Sequence, residues 1–190
     1  YVNEIGRLVR KHFPSLRIQI GNSTASLGAA CLPFRGGADP QYYDSMGIEI
    51  PSQTMMPERL LVQSIQGMMM TKEAASYYAK RPVRACGCYE YTYRTTAVGE
   101  ELQAAYYMRD TLISLANEMP VISPGIIVDA KDYYYQDLYG SCGMAYRTPW
   151  CEPKLAYVAY AALTKALDGV TLLEELPTGS TTVYALSFRR

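Results

Sequence analysis

Apolar positions along the chain change period in a regular way. Val2, Ile5, Leu8, Val9, His12 and Phe13 recur at helical spacing, and Pro14 stops that helix. Leu16 to Asn22 then reads as a strand that runs into the loop Asn22-Ser23-Thr24. Leu27 to Phe34 is expected to form a short helix before the breakers Gly36-Gly37 and Asp39-Pro40. Tyr43 to Ile50 is a second strand, closed by Pro51, with Ser45, Gly47 and Glu49 on one face and Met46, Ile48 and Ile50 on the other. Pro57 opens a long helix with the stripe Leu61, Ile65, Met68, Met69 and Ala75. The Met68-Met69-Met70 run reads as core filling rather than a binding groove.

Pro82 starts a third strand, which ends at Glu90. Alternation places Val83, Ala85, Gly87 and Tyr89 on one face, and Arg84, Cys86, Cys88 and Glu90 on the other. Gly99-Glu100-Glu101 opens the next helix, with Leu102, Ala105, Tyr106, Leu112, Ile113 and Ala116 on its predicted buried side. Pro120 to Val128 is a fourth strand whose pairing Pro124 limits. A polar, aromatic loop from Asp129 to Pro153 leads to an amphipathic helix over Leu155 to Leu167, ended by Gly169. Val170–Leu176 and Thr181–Phe188 flank Pro177-Thr178-Gly179-Ser180, a hairpin signal.

Strands separated by helices imply crossover units and a parallel sheet. Four such units are half of the eight in a (β/α)8 barrel. The predicted fold is therefore α/β: half of a TIM-type barrel with parallel strands over residues 1–168, followed by a C-terminal β-hairpin at 169–190 that starts a β domain. A lone half barrel leaves two open edges.

The 190 residues suffice for a real core. Formal net charge is +0, so no broad field for nucleic acid or an anionic membrane is expected. No apolar run approaches the ~20 residues of a membrane helix. There is neither a signal peptide at Tyr1 nor an initiator Met, so a processed form or an excised piece is expected and compartment is unreadable. No phosphate loop, dinucleotide motif or metal cluster is visible, so no cofactor and no metal are expected. His12 is the only histidine and sits on an apolar helical stripe, as a packed or capping residue would, which argues against a His-dependent triad. Five cysteines leave at least one unpaired within the chain; Cys142 and Cys151 can pair if the chain is secreted.

Tyrosine is over-used, at 18 residues against 3 Phe and 1 Trp. A flat apolar ring with a polar tip suits wet concave sites, although Tyr replacing Phe in a core gives the same count. Tyr133-Tyr134-Tyr135, Tyr139, Tyr146 and Trp150 crowd the loop after the fourth strand, and Tyr91 and Tyr93 follow Glu90. Such rings can stack on sugar C–H faces, or pack on one another or on a further part of the protein.

A carboxylate at the C-terminal end of a parallel strand is where α/β enzymes keep their chemistry. Glu90 is the first candidate. Glu49, ending the neighbouring strand on the equivalent face, is the second; its alternative is to hydrogen-bond a neighbour or pair with Arg94 or Arg59. Asp129 is a third, and its alternative is loop stabilisation.

These residues resemble the C-terminal half of a clan A glycoside hydrolase barrel, strands five to eight, running into the small β domain that often follows. Tyr1–Pro14 resembles the helix after strand four, Arg17–Asn22 strand five, Tyr43-Asp44-Ser45-Met46-Gly47-Ile48-Glu49 strand six, and Pro82–Tyr93 strand seven. Glu100–Ala116 resembles the helix after strand seven, and Pro153-Lys154 with Tyr157 the opening of helix eight. The resemblance implies retaining hydrolysis with Glu90 as nucleophile and Glu49 as the second carboxyl within the chain. It implies sugar contacts from Tyr91, Asn22, Asp129, Tyr134, Tyr139 and Trp150, and a secreted or periplasmic location. The family's acid/base follows an Asn at the end of strand four; Asn3-Glu4 has those residues but sits in a helical pattern. The strand-eight Trp is replaced by Gly125-Ile126. Partners implied are a carbohydrate and either the missing N-terminal barrel half or a second copy of the chain. The alternative is a non-catalytic carbohydrate-binding or assembly domain derived from such a barrel.

Overall fold

A computed structural model describes residues 1–23, 37–49, 56–60, 66–89, 93–119, 121–130, 140–147, 149–180 and 183–190. The side chains of Asn22, Ser23, Ile48, Glu49, Leu60, Met68 and residues 86–89 lie outside that description. The expected short helix at Leu27–Phe34 and the stripe positions Leu61 and Ile65 also lie outside it.

The elements are α1 (Val2–His12), β1 (Gln19–Ser23), β2 (Ser45–Glu49), α2 (Pro57–Leu60), α3 (Gln66–Ala79), β3 (Arg84–Tyr89), α4 (Thr95–Val98), α5 (Glu100–Ala116), β4 (Ile122–Pro124), α6 (Leu155–Leu167), β5 (Thr171–Glu175) and β6 (Leu186–Arg189). The first sheet runs in the order β1-β2-β3-β4, and the second holds β5 and β6. The chain divides into two compact units. One comprises Tyr1–Pro51, Leu60–Glu90 and Met119–Ser123; the other comprises Ser52–Arg59, Tyr91–Glu118 and Pro124–Arg190.

In the first unit β1 and β2 pair in parallel from Gln19↔Ser45 to Ser23↔Glu49, and β2 and β3 from Ser45↔Arg84 to Glu49↔Cys88. In β3 the alternation read from the sequence matches burial, with Val83 and Ala85 buried and Arg84 exposed; in β2 Met46 is buried, but Gly47 of the opposite face is buried as well. Asp44 ties the strand entrances together. Its Oδ2 accepts from the Ile18 amide at 2.8 Å and from Arg10 at 2.8 Å, and Oδ1 lies 3.4 Å from Arg81. Arg81 also donates to the carbonyls of Pro40 and Tyr43. Asn3 holds the segment before β2, donating to the Gly37 carbonyl at 3.2 Å and accepting from the Asp39 amide at 2.6 Å.

Four expectations need correction here. The apolar stripe of α1 is uncovered: Val2, Ile5, Leu8 and Phe13 are all exposed and only Gly6 is buried, under Tyr42. His12 is exposed at the end of α1, where it joins Arg10 and Lys11 in a basic last turn that complements the helix dipole. The fourth strand is three residues long instead of nine, because Pro124 lacks the amide that pairing needs. Cys142 and Cys151 are free thiols, the first buried and the second exposed.

In the second unit α5 and α6 pack together around Tyr93, Ala104, Tyr106, Tyr107, Met144 and Ala156. Gly99, at φ +82°, makes the break between α4 and α5, a conformation open to glycine. Leu102, predicted buried, is 47% exposed, and Gln103 beside it is fully buried. The buried face of α5 is thus displaced by one residue, because polar Gln103, Asp110, Thr111 and Ser114 turn inward. The expected hairpin forms as antiparallel β5 and β6, with a bulge between Leu172 and Glu174.

Candidate functional site

The parallel register puts the C-terminal ends of the first sheet in order. Gly21 and Gly47 are partners, Gly47 pairs with Cys86, and the next row of the same alternation is Ser23, Glu49 and Cys88. This face carries little bulk in its middle row. A Cβ on Gly47 would lie 2.7 Å from Gln19 Nε2, the tip of an exposed side chain that is able to swing away. Glu49 is the last residue of β2, and its Cα partner Cys88 stands two residues before Glu90 in the sequence. Asn22 lies in β1 opposite Ile48. Glu90, Tyr91, Tyr134 and Tyr139 lie outside the described residues, as does the side chain of Glu49.

Asn3 and Glu4 belong to α1, with no strand before them. Glu4 pairs with Arg7 at 2.5 Å on the exposed side of that helix. That bond, outweighing the small cost of burial, holds its carboxyl below the usual range.

The second unit gathers the aromatic and polar candidates. Asp129 Oδ1 accepts from Lys154 Nζ at 2.7 Å and from the Gly143 amide at 2.8 Å. The Lys154 side chain is fully buried. Its ammonium also donates to the Ser141 carbonyl at 3.2 Å and stands 4.8 Å from the centre of the Tyr146 ring. Asp129 is thus a loop-stabilising residue through this oxygen, which was the alternative to a ligand contact. Gly143 is required beside it: a Cβ there would lie 2.6 Å from Val128 C and 2.8 Å from Asp129 Oδ1, and closer still to the Asp129 amide nitrogen.

Tyr146 donates to Glu100 Oε1, and Glu100 Oε2 accepts from the Leu155 amide at 3.2 Å, at the start of α6. The Glu100 bond pushes the Tyr146 phenol up to about 12. The same bond, with the amide, holds the Glu100 carboxyl low. Trp150 is 81% exposed, so a flat ring stands free at the surface of this unit.

Gln103 is the centre of a second network. Its Nε2 faces the carbonyls of Tyr93, Gly143, Cys142 and Ser141 at 2.8, 3.3, 3.4 and 3.5 Å. One buried amide therefore joins the segment after β3 to the 141–143 turn. For Tyr93 the sequence left open a sugar-facing ring or a ring packed on other rings. It is fully buried, packed edge-on against Tyr106 and Tyr107 at centroid distances of 4.8 and 5.9 Å. Its hydroxyl donates to Asp110 Oδ2 at 2.6 Å, and Tyr107 donates to the Cys142 carbonyl at 3.2 Å. For these rings tyrosine serves the core, with each hydroxyl given a partner. Burial pushes the Asp110 carboxyl up to about 7 against the opposing Tyr93 bond. Burial also pushes the Cys142 thiol up to about 11, which leaves it a poor nucleophile.

Lys154 entered the sequence reading only as part of the helix-eight opening, and Gln103 and Asp110 were not singled out by the sequence. The signals that could have found them are a Lys directly before a helix start and two polar residues inside the periodic pattern of α5. Among the described residues no group of three or more His, Cys, Asp or Glu is placed to hold a metal ion, and no helix is long and apolar enough to cross a membrane.

No protein-family model matches the sequence, and no curated protein is similar to it in sequence. Solved structures are similar in fold. A family 39 glycoside hydrolase from the gut symbiont Bacteroides cellulosilyticus WH2 superposes with a TM-score of 0.72 at 18% identity, over 97% of this chain and 40% of that one. A thermostable mutant of a xylanase from Cellvibrio japonicus superposes with a TM-score of 0.53 at 15% identity, over 89% of this chain and 54% of that one. At these identities the likeness is one of fold: α/β with a parallel sheet, as in barrel glycosidases. The chain spans 40% and 54% of the lengths of these two neighbours.

Proposed function

We propose that this chain is the C-terminal half of a retaining glycoside hydrolase barrel, residues 1–168, running into a small β domain at 169–190, with Glu90 as its nucleophile. The observation that carries this reading is the fold likeness to the family 39 glycoside hydrolase over 97% of the chain. Within the first unit, the parallel register supports it: Glu49 ends β2 opposite Cys88, and Glu90 follows two residues later in the sequence.

Retaining hydrolysis needs two carboxyl groups about 5–5.5 Å apart, one to attack the anomeric carbon and one to move a proton. Neighbouring strands lie about 4.8 Å apart, and Glu90 follows the Glu49 partner Cys88 by two residues. The two carboxylates thus leave adjacent strands on one face with an offset of about 6.6 Å that their side chains must close to meet that spacing. In this scheme Glu90 attacks the anomeric carbon as the glycosidic bond breaks and the Glu49 carboxyl gives its proton to the leaving oxygen. The Glu49 carboxylate then takes a proton from the water that displaces Glu90, releasing the sugar with net retention. Glu49 is the second carboxyl offered by the chain, and it tunes Glu90 by like-charge coupling. Asn22, Tyr91, Tyr134, Tyr139 and Trp150 are assigned the contacts to the carbohydrate, while Asp129 pairs with Lys154 and the Gly143 amide. No cofactor enters the scheme.

The test is cleavage of aryl glycosides by the whole protein, with and without Glu90→Gln. Loss of essentially all turnover in the variant is expected, and unchanged turnover rejects the assignment. The exposed ring of Trp150 favours a second reading, a barrel relic that binds saccharides without cleaving them. That reading predicts binding lost in Trp150→Ala, binding kept in Glu90→Gln, and no turnover in either.

A further inference from the structure

The second unit holds a cavity lined by none of the described candidate residues. It measures about 430 Å³, within the range of about 300–1,000 Å³ usual for small-ligand sites. Its walls come from three places in the sequence: Glu58 of α2, Arg109 and Ile113 of α5, and Tyr184, Leu186 and Phe188 of the hairpin segment. Ile113 is buried, Leu186 and Phe188 are half-buried, and Tyr184 is exposed. The cavity thus runs from the packed interior of the unit out to solvent.

Its polar wall is an ion pair. Arg109 Nε donates to Glu58 Oε1 at 2.8 Å, and Nη2 lies 2.5 Å from Oε2. Both side chains are more than two-fifths exposed, so water screens the pair and it adds little to folding. What it offers is geometry. The two charges cancel, so neither an anion nor a cation is selected. The fork engages two of the five guanidinium N–H groups, and each carboxylate oxygen keeps a second lone pair. Two neighbouring hydroxyls can accept from the one and donate to the other. The Tyr106 ring, with its centre 5.2 Å from Arg109 Cζ, holds the guanidinium in place. The remaining walls are apolar, and two of them are aromatic. Tyr184 is steadied by a hydrogen bond to Glu175, and Phe188 lies within β6. Flat rings accept the apolar C–H faces of sugars. A compound without hydroxyls would leave the fork unused, and a charged one would have to displace a member of it.

We propose that this cavity is a second saccharide site, which takes a short neutral saccharide with its ring faces against Tyr184 and Phe188 and its hydroxyls on Arg109 and Glu58. The ligand class rests on the carbohydrate reading above. The place does not, since Glu49 and Glu90 belong to the first unit and every residue lining this cavity belongs to the second. A second site on one molecule raises the effective concentration of a polysaccharide chain at the first.

The experiment titrates the isotope-labelled Glu90→Gln protein, which leaves the probe uncleaved, with xylobiose and with cellobiose, and follows backbone amides by NMR. Saturable shifts are expected at residues 109–113 and 186–188 with at least one of the two. Tyr184→Ala should weaken binding at those amides about tenfold by removing one stacking ring. Val183→Trp, which fills the cavity from an exposed lining position, should abolish the shifts. Both substitutions are at exposed residues, so the fold is kept. Trp150→Ala should leave the same shifts unchanged. The proposal is overturned if neither disaccharide moves these amides, or if affinity there is equal in the parent, Tyr184→Ala and Val183→Trp proteins. Shifts produced by p-nitrophenol at lower concentration than by either disaccharide also overturn it, in favour of an aromatic ligand. Aryl-glycoside turnover by the protein with Glu90 intact should be unchanged in Tyr184→Ala. Binding here without any turnover sinks the Glu90 assignment and keeps this site, whereas turnover without shifts at these amides does the reverse.

Discussion

Replacing Asp110 by asparagine isolates a single buried proton. Asp110 is 3% exposed, with Tyr93 donating to Oδ2 at 2.6 Å. Desolvation raises its folded value from 3.8 to about 7, with Glu58 adding to the rise and Tyr93 and Arg109 opposing it. The folded chain therefore holds a proton that the unfolded chain releases. The resulting stability is fully present below the unfolded value and is lost as pH rises through the folded one. A displacement of about three pH units, at about 1.4 kcal/mol each, sets the loss at about 4 kcal/mol between pH 4 and pH 7. Asparagine keeps the acceptor for the Tyr93 hydroxyl and cannot ionise. Urea unfolding of both proteins at pH 4.5, 5.5, 6.5 and 7.5, with a common slope, reads the difference directly. Near pH 4 the two should be nearly equal, and by pH 7.5 Asp110→Asn should be the more stable by several kcal/mol. Pairwise comparison at each pH cancels the opposite trend from carboxylates such as Glu4, Asp44 and Glu100, whose values are lowered. Parallel stability curves for the two proteins would show that Asp110 is ionised in the folded state and would refute the reasoning.

Gly143→Ala should cost about 2–3 kcal/mol by overpacking, because the new methyl meets backbone atoms of Val128 and Asp129; an unchanged urea midpoint would show that the 141–143 turn yields freely. Lys154→Met should cost about 3 kcal/mol by leaving Asp129 without its buried cation, and a double-mutant cycle with Asp129→Asn should recover part of that loss. Burial works against ionisation of Asp44, but the Ile18 amide and Arg10 outweigh it and hold the carboxyl low. Asp44→Asn should therefore cost about 2 kcal/mol at pH 7, from charge-assisted bonds lost. Because a lowered acid stabilises above its unfolded value, that gap should close as pH falls below 3.8, which acid titration by circular dichroism measures.

Local patterns carried most of the fold. Pro14, Pro82 and Gly99 mark boundaries that the structure keeps within a few residues, because each acts on its own backbone and needs no distant partner. The same applies to the alternation of Val83, Arg84 and Ala85, which matches their burial. The polar cores were illegible for the opposite reason. Lys154 needs Asp129, 25 residues away, and Gln103 needs the carbonyls of the 141–143 turn, 38 to 40 residues away. Nothing in the periodicity of α5 distinguishes a Gln that faces four carbonyls from one that faces water. The stripe of α1 shows a further limit: periodicity reveals that a face wants cover and is silent on who supplies it. Glu90 and Tyr91 were singled out by position and chemistry alone, and they remain assignments to be tested by turnover.

The sealed ammonium of Lys154 has a practical corollary. Amine-reactive acylating reagents will decorate the open lysines first and meet this one only when the surrounding layer loosens. Its time course of modification, followed by peptide mass mapping, should report how often the Asp129 loop detaches from the start of α6, making one ordinary residue a clock for the breathing of its unit.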